Sequence, residues 1–345
     1  MDISARSSYI RRKDMDSVLN CLVTDNLAPG QFLDRLIRQA KERLGFDYGL
    51  GLRSPIGALE LALSCLGLEA NSAVAISALA PRWAYKAITK RGLTAVWLDA
   101  DVGDPCLGSD ARERIASGQA QALFLSSPWG ILPDPAKLEA LGIPVIEDLS
   151  TSLGASIADA QGPKAAGSFG LFSIIGLEDA SSITAGGGAI LYANARRESQ
   201  VLRNGAENLV VEERLSDLNA ALALSQLKDL DRFLEKRREL YAIYEQSLAR
   251  SHKKALTQAG DGEAARFGCV VVLETGVKDV CAYAKKKGVD TVMAFEDSCI
   301  GGGLVPEGLC PQAASLVNRS VAFPLHPRIG KTAAQKIAKV LATLP

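Results

Sequence analysis

The chain predicts an α/β protein, with a large domain built on a mostly parallel sheet between helices and a small C-terminal α+β domain. Between about 54 and 195, short apolar runs alternate with helical stretches, the pattern of a parallel sheet covered by helices. From Leu215 to about Ala249, apolar residues recur at helical spacing, through Leu218, Ala221, Leu222, Leu227, Leu230, Phe233 and Leu234. Past about 265 the pattern changes to strand, helix, strand, helix.

In chain order, residues 1–45 read as an irregular, charged, helical lead-in, 46–230 as the large domain, and 231–345 as a linking helix and the small domain. Ser54 is a candidate N-cap with Pro55 in the first helical position. The strand candidates are Ala73-Val-Ala-Ile-Ser, Ala95-Val-Trp-Leu-Asp, Ala122-Leu-Phe-Leu-Ser, Val145-Ile-Glu-Asp, Gly170-Leu-Phe-Ser-Ile and Gly188-Ala-Ile-Leu-Tyr. Ligands of such sheets gather at the carboxyl ends of the strands, which places Ser77, Asp99, Ser126, Asp148 and Ser173 on one expected rim. One or two long helices then lead to the small domain, where Arg266–Glu274 and Ser320–Leu325 read as strands, and Val277–Lys287 and Lys331–Thr343 as helices. Residues 298–310, with three consecutive glycines, read as a flexible loop.

Composition narrows the function. The 345 residues, 48% hydrophobic and 23% charged, suit an ordinary globular core. Formal net charge is zero, so no whole-chain field favours nucleic acid or an anionic membrane, and the expected partner is small or proteinaceous. Seven scattered cysteines with no Cys-x-x-Cys signal neither a disulfide framework nor a zinc site, which fits a reducing cytoplasm. The N-terminal residues carry no apolar signal core, and no stretch approaches the length of a spanning helix. His252 and His326 read as structural or surface residues. Gly186-Gly-Gly lacks dinucleotide-binding spacing and precedes a strand, and no Gly-x-Ser-x-Gly or His-x-x-x-His occurs, so no metal site is expected.

The order of these pieces resembles the DegT/DnrJ/StrS sugar aminotransferase family, which has the fold type I architecture of pyridoxal phosphate (PLP)-dependent transferases. The resemblance runs from about residue 45 to the C-terminus. It rests on Ser54–Leu63, Val96-Trp-Leu-Asp-Ala-Asp, Pro144-Val-Ile-Glu-Asp-Leu-Ser-Thr-Ser-Leu-Gly-Ala, Gly167-Ser-Phe-Gly-Leu-Phe-Ser, Thr184-Ala-Gly-Gly-Gly-Ala, Arg214-Leu-Ser-Asp-Leu-Asn and Phe323-Pro-Leu-His-Pro. It implies that Asp148 pairs with the cofactor's pyridinium nitrogen, keeping the ring protonated as an electron sink; Asp148 reads equally as a strand-end residue capping a loop. By position, Ser173 matches the serine that donates to the cofactor phosphate, Ser168 shares its turn, and either Pro81 or Trp83 takes the place of the ring-stacking residue. The resemblance also implies a homodimer and a nucleotide-sugar-like ligand.

The departures from the family pattern are informative. Phe172 to Ala189 contains no lysine, and Glu178, Asp179 or Ala180 stands nearest the position of the imine-forming one. A carboxylate cannot form an imine, although Glu178 or Asp179, if buried there, could shuttle a proton. The phosphate-holding Ser-Gly-Thr turn becomes Ser54-Pro55-Ile56, which removes an N–H and a hydroxyl. Thr151 replaces the Gln or His three residues past the strand Asp, and Glu212 replaces an Asn that reaches a neighbouring subunit's phosphate. Lys164 and Lys86, the lysines that could substitute, read as surface charges. The expectation is a degenerate sugar aminotransferase homologue that lacks covalent PLP and acts as a binding or regulatory subunit in nucleotide-sugar or polysaccharide assembly. The alternative is a PLP- or pyridoxamine phosphate (PMP)-dependent aminotransferase or keto-sugar dehydratase.

Overall fold

A computed structural model describes residues 2–101, 103–258 and 260–345. Its centre is a seven-stranded sheet of β1 (Tyr48–Leu52), β2 (Ala73–Ser77), β3 (Thr94–Leu98), β4 (Ala120–Ser126), β5 (Val145–Asp148), β8 (Phe172–Gly176) and β9 (Ala189–Ala193), in the spatial order β1-β9-β8-β5-β4-β2-β3. The four pairings from β3 through β8 are parallel, and β9 is antiparallel to both its neighbours. A short hairpin, β6 (Ser156–Ile157) and β7 (Lys164–Ala165), stands beside this sheet. The expected strands are present within one or two residues. β1 is an addition, paired with β9 from Tyr48–Ala193 to Leu52–Ala189.

Side-chain alternation along the strands sorts the helices onto two faces. Ile174 and Leu191 join a core with α3 (Pro55–Cys65) and α4 (Arg82–Lys90), while Ile175, Ile190 and Tyr192 join one with α2 (Gln31–Leu44) and α8 (Asp217–Lys228). α7 (Arg196–Gly205) lies beside α3, and α5 (Ala111–Ser117) and α6 (Pro135–Glu139) cover β2 to β5 through Ile115 and Leu138. The lead-in contains α1 (Arg12–Val23) as well as α2. Its anchor is Asp14, fully buried in α1, which binds Arg11, Ser225 and Gln226.

The small domain is a four-stranded antiparallel sheet, ordered β10 (Lys254–Ala255), β11 (Cys269–Val272), β13 (Ser320–Phe323), β12 (Val292–Met293). α9 (Leu230–Ser251), α10 (Val277–Lys286) and α12 (Lys331–Ala342) pack on one face of it. α11 (Pro311–Arg319) belongs to the core of the large domain instead, through Ala313 and Leu316. Asp99, just past β3, accepts the first amides of α11, from Gln312 at 3.1 Å and Ala313 at 2.8 Å. The segment 298–310 is likewise tied in: Cys299 and Ile300 donate their amides to the Ala80 and Ala78 carbonyls at 2.8 and 2.9 Å. The two domains thus enclose a cleft at the carboxyl ends of the parallel strands.

Candidate active site

The cleft contains a cavity of about 260 Å³ lined by Asp148, Ser126, Trp83, Thr151, Glu178 and Ser181, among others. β5 and β4 end level with one another, Ser126 opposite Asp148, and both side chains reach this space. Asp148 is 6% exposed. Burial lifts its carboxyl to about 6, against hydrogen bonds from the Ser150 hydroxyl at 2.5 Å and amide at 3.0 Å. Both bonds end on Oδ1. Oδ2 accepts no hydrogen bond among the described residues, so a carboxylate oxygen is open to a ligand.

The walls are aromatic and come from separate elements. Trp83, at the start of α4, stands edge-on to Phe124 of β4 with ring centroids 5.4 Å apart. Trp129 follows β4 in a turn at φ 59°, a strained value for a bulky residue. Its indole N–H donates to the Ala294 carbonyl at 3.0 Å, joining the two sides of the cleft, and Phe267 lies beside it.

Of the sequence candidates, Asp148, Thr151, Trp83 and Glu178 line the cavity, Trp83 together with its alternative Pro81. Thr151 has its hydroxyl committed to the Ser127 carbonyl at 3.0 Å. Glu178 accepts the Gly188 amide at 3.4 Å. Glu178 and Asp179 are both exposed, whereas the expected proton shuttle required their burial. Asp179 accepts a hydrogen bond from Ser8 and faces an adjoining, smaller cavity.

Ser54, Ser168 and Ser173 are not brought to the cavity. Ser54 caps α3, as expected, by accepting the Gly57 amide at 3.1 Å, and lines a separate groove shared with Glu212. Ser168 is exposed and donates to the Ala165 carbonyl at 2.7 Å. Ser173 is fully buried and donates to the Gly167 carbonyl at 3.3 Å. Register is the reason: Ser173 is level with Glu147 and Ile174 with Asp148, so Ser173 points to the opposite face of the sheet and does not belong to the expected rim. Glu147 shares that opposite face, where it accepts the amides of Gly167 at 2.8 Å and Phe169 at 3.2 Å.

No lysine is among the described residues lining this cavity. Lys164 pairs with Glu139 at 2.5 Å and Asp159 at 3.6 Å, and Lys86 is exposed. The cation that does reach the cavity is Arg6, on the N-terminal segment, 3.5 Å from Asp297. Sequence reading passed over Arg6, Trp129, Phe267 and Asp297. Arg6 and Asp297 lie 291 positions apart, so no local spacing relates them.

The DegT/DnrJ/EryC1/StrS aminotransferase family pattern matches residues 8–342. The chain belongs to that family. Among its members, L-glutamine:2-deoxy-scyllo-inosose aminotransferase of Micromonospora echinospora is 30% identical over 224 residues, which are 56% of this chain and 52% of that protein. The match thus spans about half the length of that relative. A solved sugar aminotransferase from Micromonospora echinospora, 18% identical, superposes over 99% of both chains with a TM-score of 0.83. GDP-4-keto-6-deoxy-D-mannose-3-dehydratase of E. coli, solved with bound hydrated PLP, is 15% identical with a TM-score of 0.86 over 99% of this chain and 100% of its own. The fold is that of PLP-dependent aminotransferases of fold type I.

The residues present match that cofactor at one end. The open Oδ2 of Asp148 suits a protonated ring nitrogen, and the aromatic walls suit a planar ring. At the other end, no lysine lines the cavity among the described residues, and Pro55 offers no N–H at the start of α3.

Proposed function

We propose that this member of the sugar aminotransferase family binds a nucleotide-sugar-like ligand without forming an imine on a lysine. It acts as a binding or regulatory subunit in nucleotide-sugar or polysaccharide assembly. The observation that carries this reading is a cavity lined by Asp148, with its open oxygen, and Glu178, and by no lysine among the described residues. Trp83, Trp129 and Phe267 supply flat apolar surfaces of the kind on which a sugar ring rests. The assembly in this reading is a homodimer. Met15, Leu19 and Leu22 form an exposed apolar stripe along α1, at the spacing of one helix face, which a second copy would cover.

Borohydride reduction of the purified chain with PLP, followed by peptide mapping, tests the reading. The expected result is no stoichiometric PLP–lysine peptide, and one arising from the cavity overturns it. Tight binding of PMP that Asp148→Ala abolishes would favour a PMP-dependent dehydratase instead.

A further inference from the structure

Beside the main cavity lies a second one of about 40 Å³, sharing Arg6, Trp129, Ser181 and Phe267 with it and floored by Arg237 and His326. Arg237, on α9, is 7% exposed and has no carboxylate within ion-pair distance among the described residues. Its Nη1 donates to the Phe267 and Leu325 carbonyls at 2.8 and 2.7 Å, while Nε and Nη2 make no hydrogen bond among those residues. Removal from water alone lowers its pKa to about 10, the mark of a buried cation without a counter-charge.

His326 is 7% exposed. Its Nε2 lies 3.1 Å from the Ser4 carbonyl, and since a carbonyl only accepts, Nε2 carries the proton. Nδ1 is buried without a partner among the described residues. The charged groups around the imidazole are Arg237, Arg328, Arg6 and Asp179; burial lowers its pKa, and Arg237 and Arg328 lower it further. Asp179 is engaged by the Ser8 hydroxyl, and Arg6 by Asp297. Among the described residues the pocket therefore holds one unpaired guanidinium and one unpartnered ring nitrogen, and its one lining acid, Asp179, is exposed and hydrogen-bonded by Ser8.

We infer that Arg237 and His326 form a binding subsite for the carboxylate group of a small ligand that also occupies the main cavity. A water-sized group needs about 10–15 Å³, so this pocket takes about three to four, room enough for a carboxylate. The guanidinium presents Nε and Nη2 as a planar pair of donors, the geometry a carboxylate matches. As the anion enters, it supplies the counter-charge that burial withholds, and Nδ1 of His326 takes up a proton from solvent. The segment Ser4–Ser8 covers this pocket through the Ser4, Arg6 and Ser8 contacts. The inference goes beyond the proposed function, which concerns the Asp148–Glu178 end, and stands or falls separately from it.

The chain has two histidines and His252 is exposed, so nitrogen-15-labelled histidine gives a two-residue spectrum with an internal control. Titration of the full-length protein with acetate and with glutarate should move the His326 nitrogens saturably toward their protonated positions and leave His252 unmoved. Acetamide should do nothing. Arg237→Gln should weaken the acetate response by roughly tenfold or more, the loss of at least one charge-assisted hydrogen bond. Where that variant does not fold, Arg237→Lys, which keeps the charge but not the planar pair, should weaken it by a smaller factor. No saturable His326 shift with either carboxylate in the unmodified protein overturns the subsite, and so does an equal response to acetamide. A response to inorganic phosphate with both carboxylates silent overturns the ligand class.

Discussion

The Asp217 carboxylate accepts the Leu33 amide at 2.9 Å, capping the first turn of α2 from a helix 184 positions away in the chain. Gly30 and Phe32 donate to the same carboxylate at 2.8 and 3.1 Å. The group is 2% exposed and satisfies three of the amides that a helix start leaves without partners. Asp217→Ala should lower the unfolding free energy by about 2–4 kcal/mol, read from urea denaturation, since three buried donors lose a charged acceptor. Amide exchange should rise first in residues 30–34. A loss no larger than that of an exposed alanine substitution would show that α2 holds itself.

Glu178 lines the cavity and, with Asp179 and Ala180, stands nearest the position that the family resemblance gives to the imine-forming lysine. Glu178→Lys should therefore create a borohydride-trappable PLP adduct on residue 178 that the parent chain lacks. Peptide mapping that finds the label only on surface lysines would remove Glu178 from that position.

Glu147 is fully buried, and burial lifts its carboxyl to about 7 against the amides of Gly167 and Phe169, with Asp148 raising it further. The folded state then holds this proton more tightly than the unfolded chain. The resulting stability is complete below the ordinary carboxyl value of about 4.3 and is lost as pH rises through about 7. Comparison with Glu147→Gln, which has no proton to lose, isolates the effect from His326 and Asp148. The stability of the parent relative to the variant should fall by up to ~1.4 kcal/mol per pH unit between about pH 5 and 7. A pH-independent difference would mean that Glu147 is ionised throughout.

Gly167 sits at φ 96°, and a Cβ there would collide with the Tyr192 hydroxyl and lie 3.1 Å from Leu149. Tyr192 cannot yield easily, being fully buried and stacked on Phe46 with centroids 4.5 Å apart. Gly167→Ala should cost about 2–4 kcal/mol in denaturant unfolding through strain and overpacking together.

Most of the sheet was legible because buried parallel strands are continuous apolar runs between turn residues, as Val145-Ile-Glu-Asp and Ala73-Val-Ala-Ile-Ser are. β1 was not, because Tyr-Gly-Leu-Gly-Leu carries glycines where a strand usually places side chains. Those glycines make room for neighbours: a Cβ on Gly51 would lie 2.5 Å from Leu33, and one on Gly49 2.8 Å from Phe46. Asp148 was found because it ends a strand, the position where such sheets gather ligands. Ser173 follows the same local pattern yet faces away, since one residue of register reverses a side chain.

Periodicity, caps and strand-ending acids are properties of neighbours in the chain, so the order of residues alone settled the α/β class, the cap of α3, the family and the lack of lysine from 172 to 189. Folding decided what stands across the cleft. The approach of Arg6 to Asp297, of Trp129 to Ala294, and of Arg237 and His326 to a common pocket joins segments far apart in sequence. Such encounters depend on the packing of whole helices and strands, which no local pattern of residues encodes.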